Sequence, residues 1–152
     1  MENRSGEEHT TDLITRLCKL DAPDREVDAE IWLIELQSAE SDPFGGYGLA
    51  EDWRYEYEAE EDGSVIQYAR NGQVMHKIGR RSSPDFTGST DAVIALAKRV
   101  FGKVGYSVAE TEDDEEAPFA FIHVNGEAYL GEGATPAIAL CIALLRAKEA
   151  ST

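Results

Sequence analysis

The chain has 152 residues, 42% of them hydrophobic, which is enough for a single domain with a real core. Its 30 acidic and 14 basic residues give a formal net charge of −16, so its surface should repel nucleic acid and anionic membranes. The sequence opens without the apolar stretch of a secretory signal, and no apolar run approaches the ~20 residues that span a bilayer. We therefore expect a cytoplasmic protein that contacts neither nucleic acid nor membrane directly.

The chain begins with polar and then helical patterns. We expect residues 1–9 to form a frayed polar tail before a single α+β domain over residues 10–150. Apolar residues at helical spacing predict a first helix that ends before Pro23 and a second helix that follows a cap at Asp24. The connection between them is short enough for an αα-hairpin. A glycine-rich loop over residues 38–50 follows.

Six β-strands are predicted in two groups of three. Aromatic and charged residues alternate over 53–58, which is typical of a strand with one face in water. The dipeptides Asn71-Gly72 and Asn125-Gly126 are strong hairpin signals. The predicted strands cover residues 53–58, 64–69, 73–78, 105–109, 119–124 and 128–130. Because strands adjacent in sequence are joined by short turns, the sheet should be mainly antiparallel.

Two further helices complete the predicted domain. Ser89 caps the third helix, and Thr135 followed by Pro136 caps the last one. The last helix, over residues 135–150, is apolar on more than one face and should be largely buried. The element order α-α-β-β-β-α-β-β-β-α therefore predicts an α+β fold, a layered sandwich in which a mainly antiparallel sheet is packed against helices.

Three parts of the sequence together resemble a family of small viral proteins. They are the helical patterns at 13–17 and 27–32, the stretch PDFTGSTDA at 84–92, and the stretch ATPAIALCIA at 134–143. In this order they resemble the phage ABA-sandwich domain family, over roughly half of the chain. The resemblance implies a helix–sheet–helix sandwich encoded by a phage or prophage. It implies no established activity, cofactor or catalytic residue.

Histidines and cysteines give no catalytic pattern. His76 and His123 lie on separate predicted strands and would need a shared sheet and a carboxylate to bind metal, so structural histidines are the favoured interpretation. Cys18 and Cys141 sit among apolar residues of predicted helices, which favours reduced core thiols over a disulfide or a nucleophile. We predict no metal, no cofactor and no catalytic residue, and we favour a binding protein over an enzyme.

Acidic residues concentrate in two stretches and suggest the leading functional hypothesis. Residues 51–62 contain seven acids and residues 110–116 contain six. A row of carboxylates along the first strand would imitate nucleic-acid phosphates and bind the basic groove of a host or phage protein. The competing interpretation is that the acids only keep the protein soluble. The candidate partner-binding residues are Glu56, Glu58, Glu60, Glu112, Asp113 and Asp114.

The alternative hypothesis is a small-ligand or anion-binding module. Residues 131–135 end a predicted strand and open a helix, where backbone N–H groups can hold an anion, although Glu132 opposes one. The loop before the third helix carries adjacent arginines and several hydroxyls. We place this pocket near residues 79–91 and 131–136, with Arg80, Arg81, Gly133 and Thr135 as its candidate ligand-binding residues.

Overall fold

The structure is a computed structural model, and it describes residues 6–38, 48–49, 54–79, 82–109 and 117–151. Its described helices and strands are α1 (Gly6–Lys19), α2 (Arg25–Ser38), β1 (Glu56–Ala59), β2 (Val65–Tyr68), β3 (Val74–Ile78), α3 (Thr90–Phe101), β4 (Gly105–Ala109), β5 (Phe119–Val124), β6 (Glu127–Glu132) and α4 (Pro136–Ala150). This order and the purely antiparallel pairing confirm the predicted α+β fold.

The strands form two three-stranded sheets, with the orders β1-β2-β3 and β4-β5-β6. Contacts divide the chain into two compact units. The central unit contains residues 25–84, and the terminal unit contains residues 1–24 and 85–152. The single domain and the αα-hairpin stay predictions. Within the described ranges, no helix is long and apolar enough to cross a bilayer.

Two predicted boundaries shift for reasons visible in the structure. α1 begins at Gly6, inside the stretch predicted as a tail. β1 is shorter than predicted because it pairs with β2 only from Glu56, opposite Tyr68, to Ala59, opposite Val65.

The central unit consists of α2 and the sheet β1-β2-β3. Val65 and Gln67 form the buried side of β2, and the Gln67 amide donates to the Tyr57 hydroxyl across the sheet. The start of α2 is held by Arg25, which pairs with the fully buried Asp28 carboxylate at 2.8 Å. A guanidinium attached to a buried carboxylate satisfies a charge that would be costly to bury alone.

The same arginine also connects α2 to the loops of the central unit. Its guanidinium donates to the Ser83 carbonyl oxygen at 2.6 Å, and the Ser83 hydroxyl donates to the Gly63 carbonyl oxygen at 2.8 Å. A Cβ at Gly63 would lie 2.9 Å from the Arg25 Cβ, so this loop approaches the helix as closely as a glycine allows. The start of α2 is therefore tied to two loops at once.

The terminal unit is built on α4. Ten of the 15 residues of α4 are buried, which confirms that the last helix is largely covered. α4 lies on β5 and β6 and also contacts α1 and α3. On β5, Ala120, Ile122 and Val124 are buried, while Phe119 and Phe121 lie on the opposite face. The core of this unit therefore lies between α4 and one face of the β4-β5-β6 sheet.

The two predicted Asn-Gly hairpins form, but with different turns. Asn125 and Gly126 both have positive φ, 53° and 81°, as a type I′ turn requires. At the other hairpin only Gly72 has a positive φ, and the Asn71 side chain accepts a hydrogen bond from the Gln73 N–H. The side-chain bond stabilises a longer turn, and the register of β2 and β3 shifts just beyond it.

The two cysteines occupy different environments. Cys141 is buried and its thiol donates to the Phe86 carbonyl oxygen at 3.3 Å, so its assignment to the core is confirmed. The prediction that Cys18 is a core thiol is wrong, because Cys18 is exposed. Leu13 and Leu17 form the buried side of α1, and the residue after Leu17 is rotated away from it. The two cysteines do not form a disulfide.

At Gly131 the backbone of β6 comes very close to α4. A Cβ at this position would overlap the Ala139 carbonyl oxygen and lie 2.6 Å from the Ala143 backbone nitrogen. We expect Gly131→Ala to lower the free energy of unfolding by roughly 3 kcal/mol, because backbone atoms cannot move aside as a flexible side chain can. Chemical denaturation measures this change.

The matched control is Gly79→Ala, where an added Cβ meets nothing within 4 Å. We expect it to change stability by less than about 0.5 kcal/mol. Equal effects of the two substitutions would show that the close approach at Gly131 does not limit the packing of α4.

Candidate functional site

The N-terminal ends of α3 and α4 line one cavity in the terminal unit. The cavity has a volume of about 390 Å³. Its lining residues are small, polar or prolines: Pro23, Thr87, Gly88, Ser89, Thr90, Thr135, Pro136 and Ala137. We call it the cap cavity, because the N-cap residues of both helices belong to it.

Both predicted helix caps form, and they have the same geometry. Ser89 and Thr135 have extended backbones, and their hydroxyls accept hydrogen bonds from Ala92 N–H at 3.3 Å and Ile138 N–H at 3.2 Å. Each hydroxyl keeps its own hydrogen for donation. The N–H groups nearer each helix start have no acceptor within the helix, apart from Pro136, which has no N–H. The cap cavity is therefore lined by hydrogen-bond donors.

Thr87 fixes one wall of the cavity. Its fully buried hydroxyl accepts from the Asp24 N–H at 2.8 Å and donates to the Asp24 carbonyl oxygen at 3.3 Å. This pair of bonds joins the segment that contains Pro23 to the loop that precedes α3. Thr90, at the first position of α3, differs because its hydroxyl makes no hydrogen bond within the described part of the chain.

Partial positive and full negative charges both lie near the cap cavity. None of the described lining residues is charged, and the two helix dipoles place partial positive charge at the helix starts that line it. Asp91 is exposed in the first turn of α3, and a Cβ on Gly88 would lie 2.5 Å from the Asp85 carboxylate, so two carboxylates stand close by. Their negative charge opposes the partial positive charge of the helix N-termini.

The structure locates two of the four predicted ligand-binding residues. Thr135 lines the cap cavity. Gly133 does not line it, and its N–H donates to the Pro118 carbonyl oxygen at 3.1 Å. Arg80 and Arg81 lie outside the described residues. Pro23 and Ala137 were not predicted as site residues, because no sequence pattern shows that they lie beside the loop before α3.

The acidic row on β1 is placed in part. Glu56 and Glu58 are exposed on the same face of the strand, and Glu60 beyond its end is half-buried. Glu56 lies opposite Tyr68, and these three exposed or partly exposed side chains, Glu56, Glu58 and Tyr68, form what we call the acidic face. Glu112, Asp113 and Asp114 lie outside the described residues.

The acidic face changes the chemistry of its tyrosine. The pKa of Tyr68 is raised above 10.0, first by desolvation and then by the charges of Glu58 and Glu60 and a hydrogen bond to Glu58. Negative charge beside a phenol disfavours the phenolate, so Glu58 and Glu60 add to the larger effect of desolvation.

The two strand histidines lie on different sheets. His76 lies on β3 of the central unit and His123 on β5 of the terminal unit, so they belong to different sheets. Among the residues that the structure describes, no group of three or more His, Cys, Asp or Glu side chains is placed to hold a metal ion.

In comparisons with known proteins, no family model, curated protein or solved structure matches this chain. The resemblance to the phage ABA-sandwich domain family therefore stays a prediction from the sequence. The cap cavity and the acidic face are the two features of the structure that suggest a function.

The pKa of Tyr68 gives a direct test of the acidic face. We expect Glu58→Gln to lower this pKa toward 10.0 without reaching it, because desolvation and Glu60 remain. In the unmutated protein, the free energy of unfolding should fall as pH rises from 10.0 to the higher folded-state pKa, because the unfolded tyrosine loses its proton first. NMR titration of the tyrosine ring carbons measures the pKa.

The control uses a second tyrosine with its own glutamate. The pKa of Tyr129 is raised by desolvation, by the charge of Glu127 and by a hydrogen bond to it. Glu127→Gln should therefore lower the pKa of Tyr129 and leave that of Tyr68 unchanged. If Glu58→Gln leaves the pKa of Tyr68 unchanged, the Glu58 carboxylate does not act on this tyrosine.

Proposed function

We propose that this protein is a non-catalytic binding protein whose cap cavity holds a small ligand rich in hydrogen-bond acceptors. The observation that supports the proposal is the convergence of two helix N-termini and four hydroxyl side chains, Thr87, Ser89, Thr90 and Thr135, on one cavity. The loop before α3 and the start of α4 are distant in sequence, and each contributes a helix cap.

The donors of the cavity determine which ligand atoms it favours. The hydroxyls of Ser89, Thr90 and Thr135 and the first N–H groups of both helices point to acceptors as their complement. Carbonyl and carboxylate oxygens are such acceptors. A ligand oxygen at a helix N-terminus accepts hydrogen bonds and also interacts favourably with the helix dipole.

The surroundings of the cap cavity disfavour a ligand with a high negative charge. Phosphate-binding sites commonly add a lysine or arginine to the helix N-terminus, and none of the described lining residues has a cationic side chain. Asp85 lies beside Gly88, Asp91 lies in the first turn of α3, and the whole chain carries −16. We therefore propose a neutral amide-like or singly charged carboxylate ligand. At about 390 Å³, the cavity lies near the lower end of the range for small-molecule sites.

Titration with three small probes, followed by amide NMR, tests this proposal. We expect N-methylacetamide and acetate to shift the amide signals of Thr90, Asp91 and Ala137, and inorganic phosphate to shift them less. The variant Thr90→Val keeps the shape of the side chain and removes its hydroxyl. It should weaken binding roughly threefold to tenfold, the usual effect of one hydrogen bond.

Thr15→Val is the control, because Thr15 is exposed on α1 and its hydroxyl donates only to the Thr11 carbonyl oxygen within its own helix. This variant should leave the titration unchanged. The proposal is wrong if none of the probes shifts the signals at the two helix starts, or if Thr90→Val leaves the shifts as they were.

A second candidate function is favoured by the acidic face. Glu56 and Glu58 are two residues apart on one face of β1, which spaces their backbones by roughly 7 Å. After desolvation, the charges of Glu58 and Glu60 contribute to the raised pKa of Tyr68, so these carboxylates lie close to this tyrosine. These observations support binding of a basic protein surface, and the resemblance would make that partner a host or phage protein.

Charge reversal distinguishes this candidate from a merely acidic surface. With a lysine decapeptide as the probe at low salt, Glu56→Lys/Glu58→Lys should weaken binding about tenfold. The matched control is Glu127→Lys/Glu132→Lys on β6, which changes the net charge equally at two other exposed glutamates. If both double variants weaken binding equally, only the total charge matters and the acidic face is not a binding site. Isothermal calorimetry measures both affinities.

A further inference from the structure

Among the residues that the structure describes, the two sheets have four edge strands, and three of them carry features that discourage pairing with another chain. β1 has Glu56 and Glu58 exposed on one face. β3 carries Lys77 and His76, and its register with β2 is irregular. β6 has glutamates at both ends. Charged side chains and irregular pairing are the usual means by which exposed sheet edges avoid unwanted strand pairing.

The fourth edge strand, β4, has none of these features. Its sequence, GYSVA, contains no charged residue and no proline, and it pairs with β5 in unbroken register. Its first four residues are exposed, and 47% of Tyr106 and 37% of Val108 are accessible. A regular, uncharged edge with exposed aromatic and β-branched side chains is suited to accept another strand.

We propose that β4 pairs antiparallel with β4 of a second copy of this chain. The two sheets β4-β5-β6 then join into one six-stranded sheet with a twofold axis at Ser107. This register places Tyr106 opposite Val108 of the other copy, and the reverse, so two aromatic–β-branched pairs form on one face of the sheet. Gly105 lies opposite Ala109 on the other face.

The uncharged sequence of β4 permits a second copy as the partner at this edge, although the net charges of the two copies repel each other at long range. Each copy carries −16, so two β1 edges would bring glutamates against glutamates, whereas two β4 edges bring no charged side chains together. The sequence of β4 is also complementary to itself, because one antiparallel register places Tyr106 of each copy opposite Val108 of the other. The pairing uses no residue of the cap cavity and is independent of the proposed ligand.

The size and charge of the interface determine its strength. A five-residue strand spans roughly 17 Å, so two of them make a small interface and a weak dimer. The net charges repel each other at long range, so added salt should strengthen the dimer by screening. Binding of a basic partner at the acidic face would show the opposite dependence on salt.

Sedimentation equilibrium of the full chain, at several protein concentrations and two salt concentrations, tests the dimer. We expect reversible self-association that strengthens with salt. Val108→Lys should weaken it about tenfold or more, because a lysine replaces one partner of each cross-strand pair. The control is Val74→Lys on the β3 edge, where the same change is made at a residue that is 54% exposed, and association should stay unchanged.

A compensating variant tests the register. Tyr106→Glu/Val108→Lys places a glutamate opposite a lysine twice across the twofold axis and leaves the net charge unchanged. It should associate more tightly than Val108→Lys alone and recover most of the lost affinity. Failure of the double variant to recover affinity would overturn the proposed register.

If the β4 variants do not fold, hydrogen exchange on the unmutated chain tests the dimer instead. Amide protection in β4 should rise with protein concentration, while that in β3 stays constant. A chain that remains monomeric at every concentration and salt, or Val74→Lys and Val108→Lys weakening association equally, would overturn the proposal. So would β4 amides that gain protection from an added extended peptide but not from higher protein concentration.

Discussion

The terminal unit depends on how closely the backbone of β6 approaches α4. Gly131 faces Ala139 and Ala143, which are one helical turn apart, so three residues with little or no side chain meet at one point. With larger residues there, α4 would stand away from the sheet and its ten buried residues would lose their contacts. Small residues at this point allow a helix that is apolar on most sides to be covered by the sheet and by α1 and α3.

The position of the cap cavity follows from this packing. β6 ends at Glu132 and α4 begins at Pro136, so the short connection brings Thr135 to a fixed place beside the sheet. The loop before α3 is also attached to α4, because the Cys141 thiol donates a hydrogen bond to the carbonyl oxygen of the fully buried Phe86. The loop that continues to Ser89 therefore starts from the core at α4. The two helix caps meet because the same helix positions both.

Local signals in the sequence predicted the elements well, and long-range arrangements poorly. The caps at Ser89 and Thr135 and the turn at Asn125-Gly126 depend on residues within one turn of chain, so their patterns are readable. The exposure of Cys18, the division of six strands into two sheets and the meeting of the two caps depend on packing between distant segments. Apolar neighbours along the chain do not show which side of a helix is covered.

The exposed glutamates of the two sheets have a structural explanation, whereas the Thr90 hydroxyl in the cap cavity has no such role in the part of the fold that the structure describes. Glutamates on β1 and β6 lie on edge strands, where any sheet in water benefits from charge. Their presence needs no partner to account for it. In the cavity, by contrast, Ser89 and Thr135 are used as caps and Thr87 as a tie to Asp24, but the Thr90 hydroxyl serves neither purpose. Because Thr90 is only half-buried, water can satisfy its hydroxyl, and that hydroxyl is free of a structural task that would compete with the ligand proposed for the cap cavity.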